Sequence, residues 1–228
     1  MSTNSTKATR LSTVVLVVAA AAATATAPDS ARAFETDPVG RPPAGFTLHV
    51  ARQPSAPRWV VRRESANGFL AHDGEPGGHA GFTMAVLDTD QRRNVSVSAR
   101  VRFAGGQRSG GIVWRVQDAE NYYLARLDLD RQDIGLYRVA GGNRTRIDGE
   151  DDLELDTTAW HTLRVVQEDE NIRVYIGGIR VLRARDRTFV KPGAVGLWCT
   201  GDALAQFDDL RLTTPEDKDD HADPRRGR

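Results

Sequence analysis

Cysteine is nearly absent. Cys199 stands alone in 228 residues, which excludes a disulfide within the chain and leaves the fold to rest on buried apolar surface. It lies in the strand-like run Gly196-Leu197-Trp198-Cys199-Thr200, where a buried, inert thiol is expected. Helical periodicity is missing as well: no stretch holds apolar residues at i, i+3, i+4 and i+7 over three turns, which argues against a helical bundle or an α/β layer structure. Charge of one sign is also lacking, because basic and acidic residues balance at 31 each. The basic residues are almost all arginine and are interleaved with acids, so there is no phosphate-tracking stripe and no nucleic acid partner is expected.

The one long apolar run is N-terminal. Lys7 and Arg10 precede Leu11 through Ala23, a basic region followed by an apolar one rich in Val and Ala, the pattern of a signal peptide. The run drifts into Thr-Ala repeats before Pro28 and is thinner than a stable span requires. It predicts a signal peptide over residues 1–33, export to the cell envelope or beyond, and no membrane span after cleavage. The cut fits best after Ala31-Arg32-Ala33; Ala25-Thr26-Ala27 offers an earlier one, and an uncleaved anchor is the remaining alternative. From Phe34 onward, 28 basic and 30 acidic side chains give a formal charge of −2. The span 34–214 is long enough for one domain to bury a core without staples. Residues 215–228 are charged side chains with Pro, His and Gly, and Ala222 is the lone apolar residue, which predicts a disordered charged tail.

What is present is period-two alternation. In Asn94 to Phe103, Val95, Val97, Ala99, Val101 and Phe103 alternate with Ser96, Ser98, Arg100 and Arg102, one face for a core and one for water. Gly111 to Gln117 places Ile112, Trp114 and Val116 on one face and Val113 and Arg115 on the other. Asn121 to Asp130 sets Tyr123, Ala125, Leu127 and Leu129 against Tyr122, Leu124, Arg126 and Asp128. Ile134 to Ala140 and Arg144 to Ile147 form a hairpin across Gly141-Gly142-Asn143. Trp160 to Gln167, Ile172 to Ile176, Ile179 to Ala184, Ala194 to Thr200 and Ala205 to Leu212 complete the series. Regularly spaced strands with turn signals predict an all-β sandwich or jelly roll of two antiparallel sheets. Trp114 and Trp160 are expected in the core.

Several pieces occur in a recognisable order: Gly110-Gly111-Ile112-Val113-Trp114-Arg115 with Gln117-Asp118 and Asn121-Tyr122-Tyr123; Leu136-Tyr137-Arg138; Trp160-His161-Thr162-Leu163-Arg164-Val165; and Val195-Gly196-Leu197-Trp198 leading to Phe207-Asp208-Asp209-Leu210. Together they resemble bacterial laminin-G-like, concanavalin A-like sandwiches, a group that includes 3-keto-disaccharide hydrolase-like domains, laminarinase-type glucanases and secreted binding modules. The resemblance implies a curved jelly roll whose concave face often holds glycans. It does not imply hydrolysis. Glucanases of this kind carry Glu-x-Asp-x-x-Glu or a close variant on one strand, so that the carboxylates flank the scissile bond. No such strand is read here, and the acidic run Glu150 to Asp156 reads as a solvated loop.

A sugar needs a flat apolar ring face and planar donors and acceptors on one surface. Arg115, Tyr123, Arg126, Tyr137 and Trp198, on central strands, are the candidate ligand-binding residues; ordinary core or sheet surface is the alternative reading for each. Asp202 and Asp208, with Asp209, flank the last strand and are candidate ligands for calcium, a hard cation that takes carboxylate oxygens. His72, Asp73, His79 and His161 are the available acid-base groups, with His72 and His79 expected in one Gly-rich loop. The function expected is a secreted carbohydrate-binding or surface-interaction module without turnover. The alternatives are a glycoside-cleaving enzyme of the 3-keto-disaccharide hydrolase-like type and a passive structural domain of the cell envelope.

Overall fold

Alternating chains bury one face and wet the other, so they pair edge to edge and then stack. A computed structural model describes residues 29–51, 58–74, 81–88 and 91–215, and every regular element among them is a strand. One sheet has the order β13 (Ile179–Arg185), β12 (Asn171–Ile176), β11 (His161–Glu168), β6 (Val95–Phe103), β15 (Ala205–Thr213), β4 (Asn67–His72) and β3 (Trp59–Glu64), with β1 (Ser30–Arg32) also on β15. The other has the order β10 (Asn143–Glu150), β9 (Asp133–Ala140), β8 (Asn121–Asp128), β7 (Ser109–Asp118), β14 (Ala194–Thr200), β5 (Phe82–Leu87) and β2 (Phe46–Ala51). All the pairings are antiparallel, which gives two sheets of eight and seven strands. No helix of the described residues is long and apolar enough to cross a membrane.

The inner faces carry the core. Val95, Val97, Ala99, Val101 and Phe103 of β6 meet Ile112, Trp114, Tyr123, Ala125 and Leu127 of the opposite sheet in one buried cluster. Two indole groups bridge the layers: Trp114 Nε1 donates to Gln167 Oε1 at 2.6 Å and Trp59 Nε1 donates to Thr83 Oγ1 at 2.8 Å. Each buried aliphatic side chain is worth about 1.5–3 kcal/mol, against about 1 kcal/mol net for a hydrogen bond. The apolar contacts therefore supply the stability, and the two indole bonds fix how the sheets sit on each other. Cys199 belongs to this core, and burial raises its thiol pKa well above the ordinary value.

Three strand expectations change. The strict alternation read through β7 breaks at Arg115, whose φ is 47° and where the pairing with β8 and β14 shifts register. The extra residue of that bulge turns Val116 to the outer face beside Val113, away from Trp114. Trp160 is half-buried rather than in the core; it covers Phe69 edge-on and lies under the guanidinium groups of Arg100 and Arg102. His72 lies inside β4 and is buried against Trp59, not in a loop, while His79 falls outside the described residues.

The chain upstream of Phe34 is also part of the sandwich. Ser30, Ala31 and Arg32 pair with Leu212, Arg211 and Leu210 beyond the point where β4 stops, and Arg32 binds Asp37 at 3.0 Å. Phe34 is 2% exposed, and its carbonyl lies over Gly68, where an added Cβ would come within 2.6 Å of it. A cut after Ala33 would remove β1; one after Ala27 would keep it. A chain that begins at Phe34 should be less stable than one that begins at Pro28 by about 1–3 kcal/mol, the worth of a few ladder bonds, read as a lower midpoint in thermal and urea unfolding. Equal midpoints would mean that β1 adds nothing.

Candidate functional site

The outer face of the seven-stranded sheet is where period two directs the side chains that the core does not take. Along β8 these are Tyr122, Leu124, Arg126 and Asp128, and the middle of the face is closed by a second apolar cluster of Met84, Val86, Val113, Tyr122, Leu124, Tyr137 and Trp198. Phe82 lies across Trp198 with ring centroids 5.8 Å apart and meets Tyr122 edge-on at 6.3 Å. This part of the face holds large side chains.

Toward the Asp128 end the face opens. Register places Met84, Trp198, Gly111, Arg126 and Gly135 in one row across five strands. At Gly111, between Trp198 and Arg126, the β8 backbone closes in, and a Cβ there would meet the Ala125 carbonyl oxygen at 1.9 Å; a depression lies beside this row. Gly135 lets the Tyr137 ring fold back over β9, since a Cβ there would overlap the ring. Tyr137 is thereby held between Arg126 and Arg144, with their guanidinium carbons 5.5 and 5.1 Å from its ring centre. The depression is a pocket of about 450 Å³, within the range of small-molecule sites. Trp198 and Thr200 of β14 form one wall and Arg126 and Asp128 of β8 the other. Ser109 and Gln107 come from β7 and the turn before it, Asp130 and Arg131 from the turn after β8, and Arg144 from β10.

Ion pairs organise the acids of this end. Arg126 Nη2 donates to Asp133 at 3.0 Å and lies 3.5 Å from Asp128, and Arg108 donates from its backbone N and Nη1 to Asp130 at 2.8 and 2.9 Å. Three polar atoms are left over: Arg126 Nε, Ser109 Oγ and Trp198 Nε1 are buried and have no hydrogen-bond partner. Such groups cost about 1–3 kcal/mol when left unsatisfied, and their three residues line the pocket.

Of the five residues that the sequence offers as ligand contacts, Arg126 and Trp198 line this pocket and Tyr137 flanks it. Tyr123 and Arg115 are elsewhere. Tyr123 points inward, wholly buried and stacked on Trp114, and its hydroxyl donates to Asp186 at 2.6 Å. Arg115, displaced by the bulge, donates to the carbonyls of Arg93 at 2.9 Å, Asp169 at 2.7 Å and Phe189, tying three connections together at the end of the sandwich. Asp208 is engaged by Arg100 at 2.5 Å and Asn67 at 3.2 Å. Asp202 lies in the turn after β14, and its carbonyl packs where Gly74 and Gly106 leave room. Among the described residues no three His, Cys, Asp or Glu side chains group to hold a metal. Ser109, Asp130, Arg131, Arg144 and Thr200 were not singled out in the sequence. Asp128 shares the period of Arg126, and that was the available signal.

A second depression of about 370 Å³ on the eight-stranded sheet includes Arg62, Asp73 and Gln206; a bidentate Arg62–Asp73 pair at 2.9 and 2.7 Å spans it.

No protein-family model matches the sequence, and no curated protein is similar to it. Solved structures are. The carbohydrate binding module CBM66 from Bacillus subtilis superposes with a TM-score of 0.60 at 18% identity, covering 75% of this chain and 96% of its own. The Bacillus licheniformis beta-glucanase gives 0.56 at 12% identity, covering 83% and 100%. Domain 4 of AbnA, an extracellular arabinanase from Geobacillus stearothermophilus solved with arabinotriose, gives 0.55 at 12% identity, covering 81% and 90%. The fold is a concanavalin A-like jelly-roll sandwich. At these identities the likeness of the concanavalin A-like sandwich to its neighbours is one of fold.

Burial raises the pKa of Tyr122 and of Tyr123 from 10.0 to about 12. Burial also pushes the Asp186 carboxyl up, but bonds from Tyr123, Thr188 and Arg138 outweigh it and leave the carboxyl below its ordinary range. The two shifts bound stability on both sides. Above pH 10 the unfolded tyrosines ionise while the folded pair keeps its protons, so stability falls as pH rises toward 12. Stability from Asp186 is present above the ordinary aspartate pKa of about 4 and is lost as pH drops through the folded value. An ultraviolet titration should show two of the four tyrosines ionising near pH 12 together with unfolding; ionisation of all four near pH 10 in the folded protein would contradict this.

Proposed function

We propose that this chain is an exported carbohydrate-binding domain that holds a sugar, without cleaving it, in the pocket between Trp198, Ser109 and Arg126. The observation that carries the reading is that three residues lining a solvent-open cavity of small-molecule size, Arg126, Ser109 and Trp198, each hold a buried polar atom with no hydrogen-bond partner. A sugar hydroxyl satisfies such atoms, accepting from the guanidinium and exchanging a hydrogen bond with the serine, while Trp198 gives an apolar wall for C–H groups. A carbohydrate binding module shares the fold, which agrees with this use of it.

One observation favours the alternative of glycoside cleavage: Asp128, Asp130 and Asp133 stand at the same end of the sheet. Cleavage needs one carboxyl that gives a proton and a second that acts as base or nucleophile. Here each of the three is engaged by an arginine, which supports binding without turnover.

Calorimetry against a broad glycan panel should give saturable binding with no sugar released on long incubation. Ser109→Ala and Trp198→Ala should each weaken binding about tenfold, a loss of about 1.4 kcal/mol, with circular dichroism used to verify that the fold persists. Release of sugar that is abolished by Asp128→Asn or Asp130→Asn would establish the enzyme instead. Absence of binding to any glycan would leave a structural role.

A further inference from the structure

We infer that the sugar taken by this pocket is an acidic one, a saccharide that carries a carboxylate or another anionic group; this rests on the carbohydrate reading above. The argument is one of uncommitted charge. Every carboxylate of the pocket end already has a cation: Asp133 and Asp128 have Arg126, and Asp130 has Arg108. The converse does not hold. Among the described residues, the side chains of Arg131 and Arg144 have no carboxylate partner; Arg131 contributes only its backbone N to Asp128, and Arg144 lies over the Tyr137 ring. Both are exposed at the rim.

Below this rim the unfilled hydrogen-bonding capacity is also on the donor side. Arg126 is 8% exposed with Nε unpartnered, and a guanidinium donates and never accepts. Trp198 Nε1, also unpartnered, only donates, and the unpartnered hydroxyl of Ser109, 2% exposed, serves either way. A neutral sugar offers hydroxyls that give and take alike, and it would leave two rim guanidinium groups without an anion. An acidic sugar supplies what is missing, because a planar carboxylate or a sulfate matches the two parallel N–H bonds of a guanidinium. The ring then lies against Trp198, with its hydroxyls on Ser109 and Asp128 and its anionic group toward Arg131 and Arg144. The Tyr137 ring holds the Arg144 guanidinium at the rim through its π face, which leaves the edge N–H groups for a ligand.

The test is calorimetry on the full exported domain with three probes: oligouronates, the same oligomers with their carboxyls reduced to alcohols, and a sulfated neutral oligosaccharide. Oligouronates should bind, reduction should weaken binding about tenfold or more, as for loss of a charge-assisted hydrogen bond, and added salt should weaken it further. Arg144→Gln and Arg131→Gln should each reproduce much of that loss. Arg183→Gln, which removes an exposed charge from β13 on the other sheet, should leave affinity unchanged and so separate local recognition from net charge. Binding of the sulfated probe in place of the uronate would keep the anionic class and name its source. If the reduced oligomers bind as tightly as the uronates, or the two rim variants bind like the parent, the acidic assignment is overturned while the carbohydrate reading stands. If none of the probes and no neutral glycan binds, the carbohydrate reading itself fails.

Discussion

The burial of two apolar sheet faces against each other is the constraint on which everything else in this molecule depends. With one cysteine there is no covalent tie, and the layers are held by side chains such as Val97, Val165, Val174 and Leu197, all wholly buried. Apolar contact has no direction of its own. The orientation comes from Trp59 on Thr83 and Trp114 on Gln167, because a buried indole N–H has to find its acceptor and only one stacking of the sheets brings the two pairs together. Once that stacking is set, the opposite face of each strand is available for other chemistry.

The two outer faces use that freedom differently. On the eight-stranded sheet, arginines alternate with the core residues and are paired with acids, as in Arg100 with Asp208 and Asp209 and Arg102 with Glu64. The seven-stranded sheet instead builds a second apolar patch around Trp198, Tyr122 and Phe82, and beyond it, toward Asp128, opens into the pocket. Its walls are strand residues fixed by pairing on both sides, so the groups around it are positioned by the same ladder that makes the sheet.

Pairing also decides what the pocket's acids can do. A carboxylate beside a guanidinium is oriented by it and keeps lone pairs that accept hydrogen bonds from hydroxyls. Asp128, Asp130 and Asp133 each lie beside an arginine. Arginine thus has two parts at this end of the sheet: some groups orient the acids, and the others remain open at the rim.

Period-two alternation was enough to read the all-β class, the boundaries of most strands from β6 onward, and the inward side of β6 and β8, because alternation depends on adjacent residues alone. It was enough to place Arg126 and Trp198 on the outer face as well. It failed at Arg115, where a bulge with φ of 47° removed one residue from the count and sent the guanidinium to three loop carbonyls. It set Tyr123 with Ala125 and Leu127 on the inward side, yet Tyr123 was also offered as a ligand contact, because an aromatic with a polar tip looks alike on a wet face and in a core until its partner Asp186, 63 residues away, is seen. Ser109, Asp130, Arg131 and Arg144 gave no local sign of sharing a cavity, since what joins them is strand register across the sheet. The sequence by itself determined which residues turn in and which turn out, a property of neighbours along the chain; which outward residues meet was decided only by tertiary structure, because register and stacking are set by contacts between segments far apart.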